Sequence, residues 1–209
     1  MAISEIDIDD RNSSVSDVTI SHSYERNQVT GNGGDGIRDE KLDITFYADG
    51  SNVSDVDLST SLVDNVVLNN AGNGYFNEAI QVVNRREGIV IENVTLTAEF
   101  IDNEFSDNGG AGIRSNEHAI MGDASNVSTS GFTDIYTRNI IERNGSDGIY
   151  LDSDFTGGPD TYMGYTLADN QINQNGGDGF YLYLDTRDGE LIDKTVFLQG
   201  NSITNNDDD

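Results

Sequence analysis

The chain has 209 residues, a length typical of one domain, and its 38 acidic and 11 basic residues give a net charge of −27. That charge argues against nucleic acid as a partner, because binding phosphate needs a basic surface. No apolar run approaches the length of a membrane-spanning helix, so we expect no membrane insertion. Cysteine is absent, which excludes disulfide bonds and thiolate metal sites.

Along the chain, one polar motif recurs six times, the last copy being cut short by the end of the sequence. It begins as Asn27-x-Val29-x-x-Asn32 and continues through glycines to a large apolar residue, Ile37. The leading asparagines are Asn27, Asn65, Asn103, Asn139, Asn170 and Asn201, so successive copies are 38, 38, 36, 31 and 31 residues apart. Self-similarity at such a spacing predicts a repeat architecture.

Each copy of the motif is preceded by apolar residues at alternating positions. The residue three before the leading Asn is always large and apolar: Tyr24, Leu62, Phe100, Tyr136, Leu167 and Leu198. Further apolar positions lie seven and nine residues before it in most copies. A period of two predicts strands with one face turned inward, and no helical period is sustained anywhere.

One strand-turn-strand unit per 31 to 38 residues predicts a solenoid whose strands stack about 4.8 Å apart. Equivalent side chains then form columns along the axis, and an Asn at each turn can bond the turn and the next winding. A glycine recurs before the apolar residue that ends the motif, which fits a turn with positive φ. These glycines are Gly36, Gly74, Gly112, Gly148 and Gly179.

The repeat resembles that of the right-handed parallel β-helix, the architecture of pectate-lyase-like proteins. We therefore predict an all-β fold, a right-handed parallel β-helix of about five to six windings, as a single domain over residues 1–209. Both ends fall within a winding, since Ile6 and Ile8 align with Ile44 and Phe46, and Asp207 to Asp209 stand where Gly-Gly-Asp would come. This predicts either a segment of a longer protein or copies that associate end to end.

The residue after the inward apolar position is expected to face solvent, as is the residue two further on. The first set is Arg38, Phe76, Arg114, Tyr150 and Tyr181, and the second is Glu40, Glu78, Asn116, Asp152 and Tyr183. Aromatic rings suit sugars and arginine suits uronate carboxylates, so we predict polysaccharide contacts for Arg38, Phe76, Arg114, Tyr150, Tyr181 and Tyr183. Glu40, Glu78 and Asp152 are the predicted ligands of a calcium ion, which takes oxygen donors. The alternative is a solvated face with weak Arg–Glu pairs.

The resemblance also implies that catalytic motifs should be sought, and none is found. The Asp-Pro-His of mannuronan epimerases has no counterpart in Gly158-Pro159-Asp160, and neither His22 nor His118 lies in the Gly-His-Gly of polygalacturonases. Both histidines fall in inward or strand-end columns, where we predict buried structural roles. Lyases of this architecture use Lys or Arg as the base, and the candidates here are Arg38, Lys41, Arg85, Arg86, Arg114 and Lys194. No catalytic residue is assigned.

Three functions are consistent with the sequence. The first is a non-catalytic extracellular module, secreted or on a bacterial cell surface, that contacts polysaccharide. The second is a segment of a polysaccharide lyase or uronan epimerase. The third is a structural spacer of an adhesin or filament. Because the charge of −27 repels polyanionic sugars, the first needs either calcium or a neutral glycan.

Overall fold

The computed structural model describes residues 2–3, 6–10, 14–46, 50, 52–84, 88–187 and 192–207. Two of the candidate bases, Arg85 and Arg86, and the tail residues Asp208 and Asp209 lie outside the described residues. Within the described ranges the strands form three sheets in which neighbouring strands run parallel. The chain passes from sheet 1 to sheet 2 to sheet 3 and then begins the next winding.

The strands are numbered β1 to β20 in chain order. Sheet 1 contains β3 (Val15–Glu25), β6 (Asn52–Val63), β9 (Val90–Ile101), β13 (Gly131–Thr137), β16 (Thr161–Ala168) and β19 (Ile192–Gln199), with β12 (Val127–Ser128) beside β9. Sheet 2 contains β4 (Gln28–Thr30), β7 (Val66–Leu68), β10 (Glu104–Ser106), β14 (Ile140–Glu142), β17 (Gln171–Asn173) and β20 (Ser202–Thr204). Sheet 3 contains β5 (Ile37–Phe46), β8 (Tyr75–Asn84), β11 (Ile113–Met121), β15 (Ile149–Thr156) and β18 (Phe180–Arg187), with β1 (Ala2–Ile3) and β2 (Ile6–Asp10) beside β5. A 3₁₀ turn, Ala124–Asn126, precedes β12.

Strand register follows the sequence repeat. The large apolar residues three before each leading Asn are direct partners across sheet 1, in the order Tyr24, Leu62, Phe100, Tyr136, Leu167 and Leu198. The predicted column is therefore confirmed, and so is the fold class, a right-handed parallel β-helix.

The core lies between the sheets and is built from these inward columns. Leu62, Phe100 and Tyr136 are at most 1% exposed, and the rings of Phe100 and Tyr136 stack with centroids 5.0 Å apart. Burying each large apolar side chain contributes about 1.5–3 kcal/mol, which is the main stabilising term for every winding. In the last described winding Leu198 is 57% exposed, because no further described winding covers it.

Two asparagine columns lie at the corners on either side of sheet 2. In the first, the backbone N–H and the Nδ2 of Asn65 each donate to Oδ1 of Asn103 at 2.9 Å, and Nδ2 also donates to the carbonyl of Tyr24 at 2.9 Å. The same bonding links Asn27, Asn65, Asn103, Asn139, Asn170 and Asn201. A second column links Asn32, Asn70, Asn108, Asn144, Asn175 and Asn206. The predicted role of Asn is confirmed, since the buried amides of these two columns bond the adjacent windings.

The recurring glycine before sheet 3 was predicted to need positive φ, and that prediction is wrong. None of the five glycines of this column, Gly36, Gly74, Gly112, Gly148 and Gly179, has a positive φ. A Cβ added to Gly112 would instead lie 2.8 Å from the carbonyl oxygen of Gly148 in the next winding. Close approach of the neighbouring backbone is the reason for Gly at this position.

Positive φ falls instead on the residue before each leading Asn, between 54° and 67° in all six windings. These residues are Arg26, Asp64, Asp102, Arg138, Asp169 and Gly200. Asp102 and Arg138 form a two-pronged ion pair, with Nε–Oδ1 at 2.6 Å and Nη2–Oδ2 at 2.7 Å. The Arg138 hydrogen bonds hold the pKa of Asp102 below its ordinary value, although both side chains are exposed and the pair contributes little to stability.

Candidate functional site

The outward face of sheet 3 brings together the five residues predicted to follow the inward apolar position. Successive strands pair them directly, and we call them the aromatic–arginine column: Arg38, Phe76, Arg114, Tyr150 and Tyr181. Phe76, Arg114 and Tyr150 are half-buried, whereas the Arg38 side chain is 39% exposed and Tyr181 is 38% exposed. Buried residues flank each of the first four in the strand, as Ile37 and Asp39 flank Arg38, so the column projects outward as predicted.

Side chains of this column stack on one another along the axis. The guanidinium of Arg38 lies 4.6 Å from the ring centroid of Phe76, and that of Arg114 lies 4.8 Å from the ring centroid of Tyr150. The rings of Tyr150 and Tyr181 are parallel within 7°, with centroids 5.1 Å apart. Stacking on both sides occupies the two ring faces of Tyr150, between Arg114 and Tyr181, and one ring face of Phe76. Among the described residues, the second face of Tyr181 has no ring or guanidinium against it.

A second outward column lies two residues further along each strand, and we call it the carboxylate column. Glu40 lies opposite Glu78, because the residues on either side of them are paired. Asp152 pairs directly with Tyr183, which is 50% exposed. A register shift between β11 and β15 places Asn116, together with Glu117, opposite Asp152.

The two guanidinium groups of the aromatic–arginine column are paired with neighbouring oxygens. Nη1 of Arg38 lies 3.1 Å from Oδ2 of Asp35. Its Nε lies 3.7 Å from Oε1 of Glu40, and its Nη2 lies 3.9 Å from Oε2 of Glu78. The Nε of Arg114 donates to Oδ1 of Asn116 at 2.7 Å. At this exposure such pairs contribute at most about 1 kcal/mol each, so they mainly orient the guanidinium groups for stacking.

The three predicted calcium ligands lie on the same face, but only two of them, Glu40 and Glu78, are in neighbouring windings. Glu40 and Glu78 are in adjacent strands β5 and β8, whereas β11 separates β8 from the strand that carries Asp152. In the described part of the chain, no group of three or more His, Asp or Glu side chains is placed to hold a metal ion. Calcium binding at Glu40, Glu78 and Asp152 stays a prediction.

Asp152, a member of the carboxylate column, lies beside other carboxylates. The pKa of Asp152 is raised above its ordinary value, mainly by partial burial and secondly by the charge of Asp154. The charge of Arg114 opposes that shift. Asp154 pairs in register with Asp185, so three acidic residues occupy positions next to Tyr183 on β15 and β18. They supply hydrogen-bond acceptors next to an aromatic surface.

Sequence reasoning did not identify a buried polar cluster centred on Asp39. The Oδ2 of this carboxylate accepts hydrogen bonds from Tyr75 Oη at 2.9 Å and Thr60 Oγ1 at 3.1 Å. Its Oδ1 contacts Tyr24 Oη and lies 3.2 Å from Nδ1 of His22. The pKa of Tyr75 is raised mainly by burial and secondly by the charge of Asp39. Burial is also the main cause that raises the pKa of Tyr24. With Asp39 only 1% exposed, the cluster is closed to substrate and its role is structural.

The second histidine has a buried carboxylate partner of its own. His118 Nδ1 lies 3.1 Å from Oδ1 of Asp134, in a geometry outside that of a hydrogen bond, and both side chains are at most 2% exposed. Tyr165 Oη donates to Ser153 Oγ at 2.9 Å, and the hydroxyl of Tyr136 has no hydrogen-bond partner in the described part of the chain. The predicted burial of His22 and His118 is therefore confirmed, and each is tied to a separate carboxylate.

The described residues contain no helix of the length and apolarity needed to cross a bilayer. No family model, curated protein or solved structure matches this chain.

Proposed function

We propose that this chain is a non-catalytic module that contacts polysaccharide through the outward face of sheet 3. The observation that carries the proposal is the pair of exposed rings, Tyr181 and Tyr183, which project side by side from β18. Tyr183 has no ring or guanidinium stacked on it among the described residues, so its faces remain open to a sugar. The carboxylates of Asp152 and Asp185 can accept hydrogen bonds from sugar hydroxyls.

The charge of this region favours a neutral glycan. Asp152, Asp154 and Asp185 occupy neighbouring positions on the same strands as the tyrosines, and the whole chain carries −27. An anionic sugar would be repelled unless a calcium ion bridged it to these carboxylates. The arginines that could hold a uronate, Arg38 and Arg114, are already engaged with acidic or amide oxygens and with rings.

The setting we propose for this activity is extracellular, at a bacterial cell surface or in a secreted protein, with an architecture of the pectate-lyase-like kind. The parallel windings and the aromatic–arginine column support this setting. They resemble pectate-lyase-like β-helices, in which the sugar groove lies on a strand face. Calcium is proposed as an auxiliary ligand only, through Glu40, Glu78 and Asp152.

The experiment is a glycan-array measurement on the double variant Tyr181→Ala/Tyr183→Ala. We expect retention of neutral glycans to weaken by about 2 kcal/mol or more, the usual effect of removing anchoring aromatics. The matched control is Phe197→Ala, which removes a ring of similar exposure, 47%, from sheet 1. Unchanged retention in the tyrosine variant, or an equal loss in the control, would contradict the proposal.

A structural spacer is the second candidate, because the asparagine columns and inward columns run through every described winding. The last described winding exposes Val196, Leu198 and Ile203, which belong to these inward columns. A spacer that associates end to end would cover them, and sedimentation would then show mass increasing with concentration. A constant monomer mass would remove the end-to-end part of this candidate.

A further inference from the structure

The outward face of sheet 1 has no part in the proposed function, and it is nearly free of charge. Four strands of this sheet, β6, β9, β13 and β16, present four outward residues each, in register with those of the neighbouring strands. Among these sixteen residues only Asp57 and Glu99 are charged, and seven are Ser or Thr. The sixteen are every second residue of 57–63, 95–101, 131–137 and 162–168.

The other two sheets carry more charge on their described outward faces. In the same four windings, two of the eight outward residues of sheet 2 are charged, Glu104 and Glu142. The aromatic–arginine and carboxylate columns of sheet 3 hold two arginines and three carboxylates. Because each chain carries −27, two copies repel one another over most of their surface, and this repulsion is smallest between two sheet 1 faces.

The face is also flat and has an apolar cluster. Gly131 is the direct partner of Tyr162, and a Cβ added to Gly131 would lie 2.7 Å from Cγ of Tyr162. The ring therefore lies against the glycine and fills the place of its missing side chain. Val63 pairs with Ile101, and Ile135 lies diagonally beside Ile101 on the next strand, all three half-buried. Flat sheet faces of this kind can pack against each other about 10 Å apart.

We propose that the outward face of sheet 1 is the interface of a homodimer, in which two copies pack this face together about a twofold axis. A twofold interface uses the same patch on both copies, so the patch must be compatible with itself, as a nearly neutral one is. The six stacked strands from β3 to β19 span about 29 Å along the axis and about 23 Å along the strands, roughly 650 Å² per copy. Two such faces bury about 1,300 Å², within the range of about 1,200–2,000 Å² for specific interfaces.

Glu99 is the charged residue that lies inside this face, since Asp57 stands at its edge. Glu99 pairs with Ser61 on one side and with Ile135 on the other. In the dimer, hydroxyl groups of the facing copy can donate to its carboxylate. The two copies of Glu99 still bring two like charges onto one buried surface, which opposes association. Removing this charge should therefore tighten the dimer.

The test is sedimentation equilibrium of the full chain over a range of concentrations. We expect a closed dimer, with twice the 22.7 kDa mass of one chain and no larger species at higher concentration. Salt screens the repulsion between the acidic copies. The dimer Kd should therefore fall by about tenfold when salt rises from roughly 0.02 M to roughly 0.3 M.

Three variants locate the interface. Ile135→Glu places a charge in the apolar cluster and should raise the dimer Kd by about tenfold or more. The matched control, Ile140→Glu, makes the same change on the outward face of sheet 2, where Ile140 is 37% exposed, and should leave the Kd unchanged. Glu99→Gln should lower the Kd, which is a gain that damage to the fold does not produce.

A monomer at every concentration and salt would overturn the proposal. A mass that grows without limit would also overturn it, because that is the behaviour of end-to-end association. Equal effects of Ile135→Glu and Ile140→Glu, or a weaker dimer with Glu99→Gln, would show that copies meet through a different face.

Discussion

Asn65 donates two hydrogen bonds, from its backbone N–H and its Nδ2, to the Oδ1 of Asn103, which follows 38 residues later in the chain. Asn103 in turn donates from its own N–H and Nδ2 to Asn139 and from Nδ2 to the carbonyl of Leu62. One side chain thereby joins three windings in a buried position. The cost of losing it is set by the groups that it leaves unpaired.

Replacing an interior member of this column is expected to be costly. Asn103→Ala leaves the N–H of Asn65 and the carbonyl of Leu62 without partners, at about 1–3 kcal/mol for each buried group. We expect the free energy of unfolding in urea to fall by about 3 kcal/mol or more. The control, Asn27→Ala, removes only one donated bond at a half-buried edge and should cost about 1 kcal/mol or less. Similar losses in the two variants would contradict the role assigned to the column.

The glycine column makes a steric prediction. Gly112→Ala places a Cβ 2.8 Å from the carbonyl oxygen of Gly148, so the windings must separate locally. Overpacking of this kind costs about 1–3 kcal/mol. Gly164→Ala is the control, because its Cβ would meet its nearest neighbour at an ordinary 3.8 Å and its φ is not positive. Thermal unfolding should show a lower Tm for Gly112→Ala alone, and an unchanged Tm there would refute the steric explanation.

The His118–Asp134 pair lends itself to a double-mutant cycle. Removing either partner leaves a buried polar or charged group and should cost about 3–5 kcal/mol. The neighbouring windings carry Ile80 beside His118 and Ala98 beside Asp134, so His118→Leu and Asp134→Ala fit their columns. We expect the double variant to recover most of the stability that each single variant loses. Additive losses measured by urea unfolding would show that the two side chains do not act as a pair.

Buried tyrosines make the fold sensitive to alkali. Burial raises the pKa of Tyr75, Tyr136 and Tyr165 above the ordinary value. Above a pH of about 10 the unfolded chain loses these phenolic protons while the folded chain keeps them, so stability falls as pH rises. Each such tyrosine should contribute a slope of about −1.4 kcal/mol per pH unit.

Tyr165→Phe tests this directly, since it removes one titrating group and one hydrogen bond to Ser153. Below pH 10 it should destabilise the fold by about 1 kcal/mol, and above pH 10 its stability should fall less steeply than that of the parent chain. An unchanged alkaline slope would show that Tyr165 does not contribute to the pH dependence.

The columns could be predicted from the sequence because equivalent residues recur at nearly constant spacing. The column of Tyr24, Leu62 and Phe100 could be predicted by aligning the copies of the repeat on the leading Asn. The aromatic–arginine column could be predicted by counting along each strand from there. His22 and Asp134 stand at the same position of the repeat, five residues before their leading asparagines. A charged residue at this inward position, as at Asp134, is a sequence signal of a buried polar cluster.

Other features depend on distances that a column alignment does not contain. Gly112 looks like a turn residue in sequence, and only the spacing of the windings shows that a Cβ would strike Gly148. The stacking of Arg114 on Tyr150 closes a ring face that the sequence suggested was open to sugar. The contact between His118 and Asp134 joins two sheets, and period-two patterns within single strands carry no information about that pairing.

The central claim is that the windings stack in the register described, and a disulfide measures it most directly. The chain has no cysteine, and Thr97 and Thr133 are direct partners on half-buried positions of sheet 1. Neighbouring strands lie about 4.8 Å apart, within the Cα range of a disulfide, so Thr97→Cys/Thr133→Cys should oxidise in the folded chain. Thr97→Cys/Ile135→Cys, displaced by two residues along β13, should stay reduced. Equal oxidation of the two pairs, or oxidation of the displaced pair alone, would contradict the stacked register.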